Sequence, residues 1–412
     1  MFLRSGAAPR RRPLLPARAA FWVQASVLLV IMAASSAPSP LYPLYQDQWG
    51  FPPVVLTVIF AAYVVALLAA LLTVGALSDH LGRRPVLLAA LVLEIAAMAV
   101  FVAADSAGTL IAARLVQGLA TGTATGALGA YVIELEPRER RGLGTVLTGA
   151  GPVLGLAAGA VVSSLIVAAA PAMIDLVFLV LLGLLVLQAV GTALGPETVA
   201  RAPGALASLV PRVSFPPQVR PSALWVLPAA TACWALGGLI ISLGPNLVRT
   251  LTGAESVVLT GVVVAALTGT GGIAILFLGA TAPRRVLALG MGLLAAGMAA
   301  TIGALAAGSV ALYLAATVVA GVGFGAGFLG VLRTLLPQAA PHERAGLLSA
   351  IYVVSYLSHS IPAVAAGAVA GTAGLVPTAI GYAGAVLLLA VLVLAGLRRN
   401  RPAPEQGGTS GA

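Results

Sequence analysis

Long apolar runs, broken at intervals by Arg, Gly and Pro, set the pattern of this chain. A membrane-spanning helix needs roughly 20 mainly apolar residues. By that measure the breaks divide the sequence into twelve runs, at 20–43, 54–77, 85–104, 108–132, 143–168, 173–195, 223–247, 256–279, 285–306, 309–333, 346–369 and 374–397. The longest break holds Arg201, Arg212, Arg220 and several prolines, and it separates six runs from six. The predicted fold is an all-α membrane protein of twelve transmembrane helices in two six-helix halves. Its parts are a tail over 1–18, a first half over 19–195, a linker over 196–222, a second half over 223–397 and a tail over 398–412.

Composition rules out a soluble alternative. Of 412 residues, 60% are hydrophobic and 8% charged, and the mean hydropathy is +1.06. A soluble domain could not hide so much apolar surface, so lipid must be the solvent. The net charge of +10 does not point to nucleic acid, because the 22 basic residues, all Arg, stand at the ends of apolar runs and not among aromatics. A lone Cys233 excludes an intrachain disulfide and offers no metal site.

The arginines also orient the chain. With the N-terminus inside, the cytoplasmic segments collect 19 of the 22, beginning with Arg4, Arg10, Arg11, Arg12 and Arg18. Arg333 falls at the inner end of span 10, Arg114 within span 4, and Arg249 outside. Positive charge is retained on the cytoplasmic side, so both termini and the linker are expected there, in the inner (plasma) membrane. Arg11-Arg12 before an apolar run also fits a twin-arginine signal, but a polytopic chain needs an uncleaved first span to set its orientation. The tail after Arg401, rich in Pro, Gly and small residues, is expected to be disordered.

Half of the chain is used twice. Pro137-Arg138-Glu139-Arg140-Arg141-Gly142-Leu143 follows span 4, and Pro341-His342-Glu343-Arg344-Ala345-Gly346-Leu347 follows span 10. Arg284-Arg285 likewise echoes Arg83-Arg84.

The turn between spans 2 and 3 reads Gly75-Ala76-Leu77-Ser78-Asp79-His80-Leu81-Gly82-Arg83-Arg84-Pro85. Gly82 supplies the positive φ that a short reversal needs, and the arginines mark the cytoplasmic side. Asp79 is the odd residue. The spacing G-x3-D-x2-G-R-R resembles the loop between helices 2 and 3 of the major facilitator superfamily of secondary transporters. The resemblance implies two parallel halves and alternating access. It also implies that Asp79 acts as a conformational latch, engaging the start of span 11 near Gly346, with Arg83, Arg138 and Arg140 orienting it. The plainer reading is an acid that balances Arg83 and Arg84 in a solvated loop.

Two further stretches extend the resemblance. Arg114-Leu115-Val116-Gln117-Gly118 is similar to the superfamily's helix-4 motif, whose Arg is associated with proton or substrate coupling. A guanidinium in the bilayer costs roughly 2.5 kcal/mol or more, so Arg114 needs a polar cavity or a partner, unless it snorkels to the outer surface. In span 5, Gly151, Pro152, Gly155 and Gly159 resemble the antiporter motif of proton-driven exporters. Pro152 bends the helix and the glycines leave one face open to close packing, although Leu147 and Leu156 stand where that motif prefers Gly.

Other candidates come from charge at depth. Asp47, Asp105, Asp175 and Glu255 sit at outer helix ends, and Glu94 alone among the acids falls near the middle of a span. A carboxyl there could exchange protons, or rest protonated against a neighbouring helix. His359 in span 11 is the other deep titratable group, with a packing role as its alternative. Span 1 has no acid, unlike many multidrug exporters of the superfamily. The expected substrate cavity lies between the halves at mid-membrane, with Gln24, Gln117, Thr121, Trp234, Asn246 and Tyr313 as candidates.

Paired catalytic acids, metal-ligand clusters, nucleophile motifs and nucleotide loops are all missing from the sequence. The reading is therefore a transporter and not an enzyme or receptor, with no cofactor. It is expected to act as a monomer with the lipid bilayer, protons and a small-molecule substrate as partners. Export of small organic molecules coupled to proton entry is the favoured activity; proton-coupled import or uniport of a sugar-like metabolite is the alternative.

Overall fold

The computed structural model describes residues 14–253 and 256–399. The expectations placed on Arg4, Arg10, Arg11, Arg12, Glu255, Arg401 and the tail beyond it lie outside the described residues.

Twelve long helices form among the described residues. They are α1 Ala17–Ser36, α2 Pro53–Val74, α3 Arg83–Val102, α4 Ala107–Glu134, α5 Leu143–Ala169, α6 Leu176–Leu194, α7 Arg220–Ser242, α8 Val257–Leu278, α9 Pro283–Ala306, α10 Val310–Leu335, α11 Arg344–Ala373 and α12 Leu375–Arg399. Eleven are long and apolar enough to cross a membrane; α4 is as long but carries Arg114, Gln117 and Thr121. In lipid every backbone polar group must be satisfied within the segment, which a continuous helix does by itself.

Two expected spans are shorter than their apolar runs. α1 stops at Ser36, and a short helix Tyr42–Trp49 follows it. The reason is Pro38, Pro40 and Pro43, none of which can donate to the preceding turn. α7 likewise stops at Ser242, and Gly244–Thr252 forms a second short helix with Pro245 in its first turn. Each short helix ends on a left-handed glycine, Gly50 with φ 65° and Gly253 with φ 59°.

Neighbour relations repeat between the first six helices and the last six. α1 packs on α5 and α6, and α7 packs on α11 and α12; α3 packs on α4 and α6, and α9 packs on α10 and α12. The two sets meet along α2–α11 and α5–α8. Small residues bring these seams close: a Cβ on Gly367 would overlap Thr57, and one on Gly272 would lie 2.7 Å from Leu154 Cδ2.

Polar contacts between the two sets lie on the face opposite the linker. Asn246 Nδ2 donates to Gln46 Oε1 at 3.2 Å, Arg249 pairs with Asp47 at 2.7 Å, and Thr260 Oγ1 donates to Pro40 O at 3.2 Å. On the linker face, Leu14 and Leu15 N–H bond to Leu194 O, both at 3.1 Å. The ends of α9 and α12 are tied there by Arg284 donating to Leu397 O.

Candidate functional site

The site grows from the packing of α4 on α2. Gly118, Gly122 and Gly126 form a stripe along α4, and a Cβ on any of them would overlap the carbonyls of Tyr63, Leu67 or Gly75. This close approach carries Tyr63 to the side chain of Arg114, one turn earlier on α4.

Arg114 is fully buried and does not reach the surface. Its Nε donates to Tyr42 Oη at 2.5 Å, and its Nη1 donates to Ser35 O at 2.7 Å and to Gln117 Oε1 at 2.6 Å. The guanidinium carbon lies 5.3 Å from the Tyr63 ring centre, 5.4 Å from that of Tyr42 and 5.8 Å from that of Phe101. Each such face contributes about 0.5–2 kcal/mol, and hydrogen bonds to a charge about 1.5–3 kcal/mol each. Together they offset an insertion cost of about 2.5–3.5 kcal/mol.

The end of α1 supplies the acceptors. Pro38 has no N–H, so the Ala34 carbonyl loses its helical partner; Gln117 Nε2 takes it at 3.0 Å. The carbonyl of Ser35, in the last turn, goes to Arg114, and the negative end of the helix favours the cation there. Tyr63 Oη completes the cage by donating to Ser35 Oγ at 3.0 Å.

Glu94 joins through Gln117, whose Nε2 donates to Glu94 Oε1 at 3.1 Å. The amide has one workable orientation: its oxygen faces the guanidinium, which only donates, and its nitrogen faces two acceptors. Glu94 Oε2 and Arg114 Nη2 are buried and have no partner. A titratable acid and a cation thus share one amide inside the helix bundle.

His359 lies in a separate cluster. Its Nδ1 is 3.1 Å from Trp234 O, and its ring centre is 5.0 Å from that of Phe60 on α2, across the seam between the two sets. Trp234 meets Tyr356 at 4.7 Å and Phe328 at 5.4 Å.

The six cavity candidates do not converge. Gln24 turns towards α6, where its Nε2 donates to Thr192 Oγ1 at 3.2 Å. Asn246 is at the face opposite the linker, and Tyr313 is fully buried near Gly244. Thr121 returns its hydroxyl to Gln117 O at 3.0 Å; Gln117 belongs to the Arg114 network and Trp234 to the His359 cluster. In α5, Gly151, Gly155 and Gly159 all face α1, at Leu28, Leu29 with Met32, and Ala33 with Ser36, while Pro152 lies inside the helix.

Around Asp79 the contacts stay within the first set of helices. Arg83 is bonded to Asp79, to Glu134 Oε1 at 2.9 Å and to Ser78 Oγ at 2.8 Å. Glu197, just past α6, caps α3 by accepting from Arg83 N at 2.9 Å and Arg84 N at 3.1 Å. Gly75 meets α4 at Gly126, and Gly82, with φ 102°, leaves space that a Cβ would take from the Glu197 carboxylate. Gly346, at the start of α11, packs on the linker in this conformation, where Ser214 N donates to its carbonyl at 3.2 Å. Sequence reasoning missed Glu134 and Glu197 as partners of this turn, and Tyr42, Tyr63, Phe101 and Ser35 around Arg114.

Comparison with known proteins agrees with this geometry. Residues 24–361 match the family model described as Major Facilitator Superfamily. A crystal structure of the human organic anion transporter MFSD10 (TETRAN) is similar at TM-score 0.66 and 19% identity, over 92% of this chain and 100% of that one. A mutant of the nucleoside transporter NupG is similar at TM-score 0.70 and 11% identity, over 92% of this chain and 99% of that one. At these identities the likeness shows the fold. No curated protein matches the sequence. With the family model spanning most of the chain, the protein belongs to the Major Facilitator Superfamily and is a multi-pass membrane transporter, not an enzyme.

Proposed function

We propose that this transporter exports small organic molecules in exchange for protons, with the linker and both chain ends in the cytoplasm of a cell bounded by its plasma membrane. The observation that carries the reading is the buried sequence of contacts Glu94–Gln117–Arg114. Glu94 is the proton carrier, and its uncommitted Oε2 is the oxygen that takes the proton. The ionised and neutral acids differ in their pull on Arg114, which holds the end of α1. Protonation then biases the balance between two arrangements of the 19–195 and 223–397 halves, as a ligand does when it favours one state.

The halves join on the face opposite the linker, so this orientation makes the conformation closed to the outside. Asp79 is held by Arg83 here and engages the second half when the cytoplasmic side closes. Substrate passes between the halves beside Trp234 and His359. The neighbouring folds that carry organic anions and nucleosides both handle small organic solutes, which favours that class.

Glu94→Gln keeps the shape and the hydrogen bond but cannot titrate. In inverted vesicles screened with a panel of small organic compounds, the parent accumulates a substrate when a proton gradient is imposed. The variant is expected to lose that accumulation while keeping gradient-independent exchange. Gradient-driven accumulation at the parental level in the variant would remove Glu94 from the mechanism. Parental transport that ignores collapse of the gradient would mean uniport, and accumulation in right-side-out vesicles alone would mean import.

A further inference from the structure

The linker is bonded to both halves on its way from α6 to α7. On the first half, Ala202 N donates to His80 O at 2.9 Å, and His80 Nδ1 donates to Pro203 O at 3.0 Å. His80 is the neighbour of Asp79 in the turn between α2 and α3. The next turn of the linker, Ala207–Leu209, packs on α2. On the second half, Ser214 N donates to Gly346 O at 3.2 Å and Gln218 Nε2 to Glu343 Oε2 at 2.7 Å, both at the start of α11. Val210 and Pro211 separate the footing on α2 from Arg212, whose carbonyl oxygen would lie 3.6 Å from a Cβ on Gly346. Docking a chain costs about 1–2 kcal/mol of backbone entropy per residue. Pro196, Pro203, Pro211, Pro216, Pro217 and Pro221 reduce that cost by restricting the undocked linker.

The contact on α11 has no counterpart at the matching position of the first half. In the internal repeat Gly346 corresponds to Gly142. Gly142 has φ 91°, and a Cβ on it would meet nothing within 4 Å, so its missing side chain serves the backbone turn alone. Gly346 lies inside α11 and has no positive φ; a glycine there costs about 1 kcal/mol relative to alanine. What it leaves is room for Ser214, because a Cβ on Gly346 would come within 2.5 Å of Ser214 Oγ. The linker segment 212–214 therefore covers α11 at the residue where the Asp79 latch is expected to engage.

We propose, on the reading of Asp79 as a latch, that residues 207–214 form a strap that occupies the start of α11 while the cytoplasmic side is open and must leave it before that side closes. Strap and Asp79 compete for one surface, so each state engages one of them. When the strap lets go of Gly346, its other end stays with the first half through Ala202, Pro203 and His80. Gln218 and Glu343, next to α7 and α11 of the same half, keep their bond through the change. The docked strap thus stabilises the cytoplasm-open arrangement, and loosening it shifts the population towards the closed one.

The test measures the distance between spin labels at Ala76→Cys and His342→Cys, both exposed, in full-length protein carrying Cys233→Ala. Ser214→Pro removes the N–H that holds Gly346 O. It should raise the short-distance population about two- to tenfold, as expected for one lost hydrogen bond, and adding Asp79→Asn should reverse the rise. An unchanged distribution in Ser214→Pro overturns the strap, and the latch then stands if Asp79→Asn alone lengthens the distance. A rise that survives Asp79→Asn overturns the latch and with it the competition. A second measurement pins the strap in place. The Cβ of Ser214 lies 3.6 Å from where a Cβ on Gly346 would be, which suits a disulfide. In Ser214→Cys with Gly346→Cys, again without Cys233, oxidation should stop transport in a manner that reductant reverses. Failure of the pair to oxidise, or transport that continues in the oxidised protein, overturns the strap.

Discussion

Glu197 caps the helix that Arg83 begins: its carboxylate accepts from the Arg83 backbone N–H at 2.9 Å, across 114 residues of chain. The end of the first six helices therefore closes on the turn that opens α3, and Gly82 is what leaves the space.

A double-mutant cycle measures that closure. Gly82→Ala should cost about 1–3 kcal/mol, because φ 102° with ψ 153° is a conformation nearly confined to glycine. Glu197→Ala should cost about 0.5–2 kcal/mol as a lost cap. The added methyl already displaces the carboxylate, so the double variant should lose less than the sum. Thermal unfolding in detergent checks this, and strict additivity would mean that the two residues do not share a contact.

Arg114→Lys is expected to reduce transport at least roughly tenfold with expression retained, since an ammonium cannot serve Tyr42, Ser35 and Gln117 together. Tyr42→Phe removes one acceptor and should be milder. Initial rates in vesicles decide, and a lysine variant as fast as the parent would make the cage a packing feature only.

The Asp47–Arg249 and Gln46–Asn246 contacts must part if the outer face opens. In a Cys233→Ala background, Gln46→Cys with Asn246→Cys joined by a short thiosulfonate cross-linker should stop transport, and reductant should restore it. Undiminished transport by the cross-linked protein would show that the outer ends need not separate.

Topology has a direct check. A reporter at Ala205→Cys, also in the Cys233→Ala background, should resist an impermeant thiol reagent applied to intact cells and react once the membrane is opened. Labelling from outside would reverse the orientation.

The lengths and number of the helices were legible because lipid demands about twenty apolar residues per crossing and sends charge to the faces. Rotation about each helix axis was not. When lipid is the solvent both faces are apolar, so the pattern did not reveal that Gln24 faces α6 or that Tyr313 is buried near Gly244. Arg114 and Glu94 stood out as charges at depth, whereas Tyr42, Tyr63 and Phe101 looked like ordinary membrane aromatics. One signal was available: Pro38 lies four residues after Ala34, so that carbonyl needed another donor. Glu197 gave no such hint, since its partners are backbone groups far away in the chain.

The two acceptors at the end of α1 differ in permanence. Ala34 O faces a proline at the position where a continuing α-helix would return its donor, so winding α1 further gives that oxygen no α-helical partner. Ser35 O faces Ser39, which keeps its N–H and could take the bond back by one further residue of winding. Gln117 is thus moored to a fixed point, while Arg114 hangs on an exchangeable one. In such an arrangement the amide is the pivot and the guanidinium is the part free to let go.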